Sequence, residues 1–149
     1  MNANTMVLED GMYLVERGGN HRSVIYPLAA NEKIITWNEN FLEYNKKMKY
    51  LIVNTEEFAA IQLTEEPVAE PGDNGFKKLD LSLNDQATKD FDLFTKKHLN
   101  KMIAIVVGGE ALSKHQIRAV IDGGRIQITR CNDNACEKLM YELKDKVTN

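Results

Sequence analysis

Apolar and polar positions alternate most clearly in the carboxy-terminal half of the chain. Leu79, Leu81 and Leu83 are interleaved with Asp80 and Ser82, the period of two expected of a strand with one buried face. The period then changes. Ala87, Phe91, Phe94 and His98 recur at i, i+4, i+7 and i+11, which puts them on one stripe of a helix, with Lys89, Asp92 and Lys96 outside it. Asn84 or Asp85 stands where a cap would accept hydrogen bonds from the unpaired first-turn amides. MIAIVVGG, Met102 to Gly109, is apolar on both alternating faces, so it predicts a central strand covered on each side. Gly108 and Gly109 then supply the positive backbone angles of a tight turn.

The next stretch, EALSKHQIRAVI from Glu110 to Ile121, fits neither period, because Ala111, Leu112, His115 and Ile117 share no single strand or helix face. Asp122, Gly123 and Gly124 mark another turn, and RIQITR follows with Ile126 and Ile128 on one side. Asn132 or Asp133 can cap a last helix in which Ala135, Leu139 and Leu143 line up, joined by Met140. Strand, helix, strand, strand, helix is the order of a ferredoxin-like βαββα module of the α+β class, short of one edge strand.

The amino-terminal part is β-rich. GMYLVER (Gly11 to Arg17) and RSVIYPL (Arg22 to Leu28) flank GGNH and predict a hairpin. KIITW, KYLIVN and FAAIQL are further strand candidates, and Phe41, Tyr44 and Met48 recur at helical spacing in the polar stretch between the first two. EEPVAEPGDNGF, Glu65 to Phe76, has two prolines, two glycines and no apolar period, so it reads as a linker or long loop. The expected organisation is therefore a β-rich part over residues 1–64, a linker over 65–77 and the α+β module over 78–149. The missing edge strand would come from KYLIVN or FAAIQL, making the chain one continuous structure.

Composition narrows the function more than the fold. Of 149 residues, 43% are hydrophobic and 28% charged, with a formal net charge of −3; this is ordinary for a globular chain and offers no field toward nucleic acid or anionic lipid. The central strands carry no exposed aromatics on which bases could stack, so nucleic acid is not an expected partner. No window has the length of apolar sequence that a membrane span needs. MNANTMVLEDG has neither a basic nor an apolar signal-like region, so the chain is either cytoplasmic or has lost a signal or anchor.

Cys131 and Cys136 lie across a strand-to-helix corner that permits a disulfide; the other reading is one buried and one partly exposed thiol. With only His21, His98 and His115 to help, a zinc site is not expected, and four intervening residues are too many for a redox dithiol. No cofactor or metal is anticipated. Gly123 and Gly124 lead into a strand rather than a helix, which excludes a phosphate cradle.

FTKKHLNKMIAIVVGGEALSKHQIRAVIDGGRIQIT resembles the head subdomain of the first periplasmic domain of SecD, a protein-export accessory. The resemblance rests on Phe94, Thr95, Asn100, Lys101, Ala104, Ile105, Val106, Val107, Gly108, Gly109, Ser113, Ile117, Arg118, Gly123, Gly124, Gln127, Ile128 and Thr129, in that order. It departs at Lys114 and His115, where the family has Ala-Pro, and at Gly108 and Gly109, where it has Asp-Gly. Such a resemblance implies a stand-alone, non-enzymatic protein-interaction module of the bacterial cell envelope, periplasmic or envelope-associated, over residues 78–146. Its contact residues would be Ser113, Lys114, His115, Gln116 and Arg118, on an exposed sheet edge or the variable loop from Glu110 to Ile121, where an extended peptide can add as a strand. Two alternatives compete. One is a small hydrolase using Ser113 and His115, which would share a face of an extended strand; the other is an inhibitor-like subunit that caps a partner protein.

Overall fold

A computed structural model of the chain describes residues 7–21, 23, 27–38, 49–72, 75–131 and 133–147, with the backbone alone for 129–131 and 133–135. Among the described residues eight strands and two α-helices follow one another: β1 (Gly11–Gly19), β2 (Glu32–Ile35), β3 (Tyr50–Ala60), β4 (Val68–Pro71), β5 (Lys77–Ser82), α1 (Asp85–Lys97), β6 (Met102–Val107), β7 (Glu110–Gln116), β8 (Arg125–Cys131) and α2 (Asp133–Leu143). The strands form two antiparallel sheets, one of five strands in the order β2-β3-β1-β6-β7 and one of three in the order β4-β5-β8.

The α+β class is as expected, but a single ferredoxin-like βαββα sheet is not what these strands build. The strands on either side of α1, β5 and β6, lie in different sheets. The cause is local to β6. Gly108 and Gly109, at φ 62° and 79°, close a two-residue hairpin that folds EALSKHQ back as β7 along one edge of β6. β1 occupies the other edge, so no edge of β6 is left for β8, which pairs with β5 instead.

The strand supplied by the amino-terminal part is thus β1. KYLIVN and the start of FAAIQL are one continuous strand, β3, on the far side of β1. The stretch read as a linker contains β4, a short edge strand ending at Pro71, where a residue without an N–H is tolerated. The predicted hairpin partner RSVIYPL lies largely outside the described residues, and the helix predicted between Asn38 and Met48 lies outside them from residue 39.

The alternation in MIAIVV sorts β6 between two cores. Ile103, Ile105 and Val107 enter the larger one, with Leu79, Leu81, Phe91, Phe94, Ile126, Ile128 and Leu143. Ala104 and Val106 face the opposite side of the five-stranded sheet, with Tyr13, Trp37, Leu51 and Val53. Helix α1 buries Ala87, Phe91, Phe94 and Thr95, the first three in the larger core. Its cap is Asn84, whose side-chain oxygen accepts from the Ala87 N–H at 2.8 Å. At the other end Glu57 of β3 accepts from Lys97 Nζ at 2.8 Å and lies 3.0 Å from His98 Nε2, fastening the helix to the sheet.

Candidate functional site: a groove between the two sheets

Where the larger core reaches the surface, the sheets part. The opening is a groove of about 840 Å³. Its floor is apolar: Met12 of β1, Ile103 and Ile105 of β6, and Ile126 and Ile128 of β8. These side chains arrive there by the same alternation that builds the core, since each belongs to the inward-facing set of its strand.

One wall is β8. It is the last strand of its sheet, so among the described residues its outer row of N–H and C=O groups has no strand beside it. Arg125 and Gln127 alternate with the isoleucines and also line the opening. The opposite wall is the irregular segment after β7, with Ile117, Arg118, Ala119 and Ile121. That wall is tied down at both ends. Asn100, in the left-handed conformation at φ 69°, donates its N–H to Ile117 O at 2.7 Å, and Ile117 N–H donates to Lys101 O at 2.9 Å. Further along, the N–H of Ile121 donates to Thr95 Oγ1 at 2.9 Å, while that hydroxyl donates to Phe91 O at 2.6 Å.

The predicted contact residues divide between the groove and its surroundings. His115, Gln116 and Arg118 line it, whereas Ser113 and Lys114 do not. Glu110 to Gln116 is strand rather than loop, so only the part beyond Gln116 is irregular. Partial desolvation lowers the pKa of the His115 imidazole from its ordinary value of 6.5, although the residue remains exposed. Gln116 Nε2 donates to Asn100 O at 3.0 Å.

Met12, Ile103, Ile105, Arg125 and Gln127 escaped the sequence reading as site residues. Their alternation had marked the isoleucines as core, and only the parting of the sheets makes core residues into a floor. Arg125 carried a signal of its own, a cation at the head of a strand directly after a glycine turn.

The side chains of Ser113 and His115 form no hydrogen bond with each other or with a third group among the described residues. The hydrolase alternative therefore lacks the contact that activates a nucleophile. No cluster of three or more His, Cys, Asp or Glu side chains among the described residues has the arrangement of a metal site. Cys136 is buried and disulfide-bonded; the side chain of Cys131, its expected partner, is not among those described. No helix among the described residues is long and apolar enough to cross a membrane.

Comparison with known proteins agrees with this architecture. The SecDF P1 head subdomain family matches residues 39–144, and the chain belongs to that family. One similar solved structure is of the membrane component SecDF, described as enhancing protein export; it is 16% identical, with a TM-score of 0.54 over 95% of this chain and 64% of that one. Another is SecDF in a super-membrane-facing form, 15% identical, with a TM-score of 0.50 over 99% of this chain and 24% of that one. The chain thus spans under two thirds of the length of either structure. At these identities the likeness is one of fold. No curated protein sequence matches the chain.

Proposed function

We propose that this chain is a non-catalytic, protein-binding module of the periplasm or cell envelope that works in protein export by holding an extended segment of another polypeptide. Family membership supports the export setting. The groove supports the mode of binding: its apolar floor runs beside the open edge of β8. An extended chain laid there would add to the three-stranded sheet through main-chain hydrogen bonds and drop every second side chain onto the isoleucines. Main-chain recognition tolerates many sequences, which suits a module that meets unfolded clients.

The groove can be closed without touching the core. Ala119 is exposed and lines it, so Ala119→Trp fills the space while leaving the buried residues in place. A fluorescent, unstructured peptide with alternating apolar residues is expected to bind the wild-type protein and to protect the β8 amides from hydrogen exchange. Ala119→Trp should weaken that binding by about tenfold, equivalent to roughly 1.4 kcal/mol. Equal binding by both proteins, or none by the wild type, overturns the proposal.

A further inference from the structure

The charged side chains of the groove are unevenly engaged. Two acids and two arginines line it: Glu70, Asp80, Arg118 and Arg125. Both acids are occupied. Glu70 lies 3.8 Å from Lys78 Nζ, its cross-strand neighbour, and Asp80 Oδ1 accepts from Gln127 Nε2 at 2.6 Å. The guanidinium groups of Arg118 and Arg125 meet no carboxylate and make no hydrogen bond among the described residues. Two exposed arginines without a partner among the described residues therefore stand on the walls of one apolar groove.

Resting on the groove reading above, we infer that the site selects extended peptides in which a carboxylate side chain interrupts an apolar alternation, the carboxylate being held by Arg118 and Arg125. A planar guanidinium matches a carboxylate in geometry and can hold it through two parallel hydrogen bonds at the rim of the groove.

Strand geometry sets the register. Ile126 and Ile128 turn toward the floor, and Arg125 and Gln127 turn to the other face of β8. A strand added antiparallel to β8 sets its own residues opposite Ile128, Gln127, Ile126 and Arg125 in succession. The preferred pattern along the peptide is therefore apolar, polar, apolar, acidic, with the acid directly across from Arg125. Nucleic acid is a poor fit for the same cations, because the floor offers isoleucine and methionine and no aromatic ring for a base to stack on.

The test compares two peptides identical except for Asp or Asn at the acidic position, each titrated by fluorescence anisotropy against the wild type, the Arg118→Gln/Arg125→Gln double variant and Ala119→Trp. Both arginines are exposed and hold nothing in place, and thermal melting verifies that the double variant is folded. The expected result is a preference for the Asp peptide of about tenfold, narrowing with added salt and absent in the double variant. Equal binding of the two peptides by the wild type, with both lost in Ala119→Trp, overturns the charge inference and leaves the groove standing. Binding that Ala119→Trp does not affect, or no binding at all, removes the groove and the inference together.

Discussion

Glu57 holds a lysine and a histidine on one carboxylate, and its titration follows from that. The hydrogen bond from Lys97 is the larger cause and that from His98 the next; together they hold the Glu57 carboxyl below its ordinary value of 4.5. A carboxyl lowered in the folded state adds stability that is fully present above the unfolded value and disappears as pH falls through the folded one. Denaturant unfolding followed from pH 7 downward should therefore show a loss of stability below about pH 4.5 that is smaller in Glu57→Gln. Matching acid limbs in the two proteins would remove Glu57 from the account. At this scale the sequence was legible only where chemistry was local. Asn84 announced itself as a cap, and His98 as the end of an apolar stripe. Glu57 carried no signal, because nothing in a linear sequence shows that β3 delivers it to residues about forty positions away. Thr95 was visible only as part of the family motif, not as the peg for Ile121.

Elements were legible where one period ran uninterrupted. The β5 alternation, the α1 stripe and the two-faced apolar β6 all stand as expected, because each is a regular object packed on one or both sides. β7 was unreadable for a physical reason. Its pairing with β6 slips between Ile105 and Val106, so that Ser113 faces Ile105 and Ala111 faces Val106. The extra residue, Leu112, turns into the larger core while Ala111 enters the smaller one. The slip lies where β7 passes from residues buried on both faces to the partly exposed Ser113 and Lys114, so neither a one-faced nor a two-faced pattern runs along it. β3 was split in reading because Asn54, Thr55, Glu56 and Glu57 interrupt its apolar pattern, although Asn54 and Thr55 are buried; the Thr55 backbone N–H and hydroxyl both donate to Asn31 O. For α1 the cap is the natural lever. Asn84→Ala should cost about 1 kcal/mol of folding stability and raise hydrogen exchange in the first helical turn, whereas Asn84→Asp should keep most of it. An unchanged midpoint in chemical denaturation of the alanine variant would count against the cap.

For the whole molecule, the decisive strand is β1, which joins β3 to β6 at the middle of the five-stranded sheet. It lies outside the residues that the family match covers, yet β6 depends on it for one of its two edges. A fragment of residues 78–149 keeps β5 through α2 but leaves that edge of β6 bare. Such a fragment is expected to give no cooperative thermal transition and few dispersed amide resonances; a well-folded fragment would mean that the carboxy-terminal module stands alone. The topology was beyond the sequence reading because strand order is decided by which edges remain free after local hairpins close, and that is not a periodic property. The groove was hidden for the same reason, since it exists only between sheets whose membership could not be read.

The wall of that groove is pegged at Ile117 and at Ile121, through Asn100, Lys101 and Thr95. A receptor built in this way has little conformational freedom left to lose on binding. Nearly all the entropy of association would then be surrendered by the incoming chain, which makes the stiffness of the client a determinant of affinity alongside its side chains. Segments rich in β-branched residues, already confined to extended backbone before they arrive, would be held longer than glycine-rich segments of equal hydrophobicity.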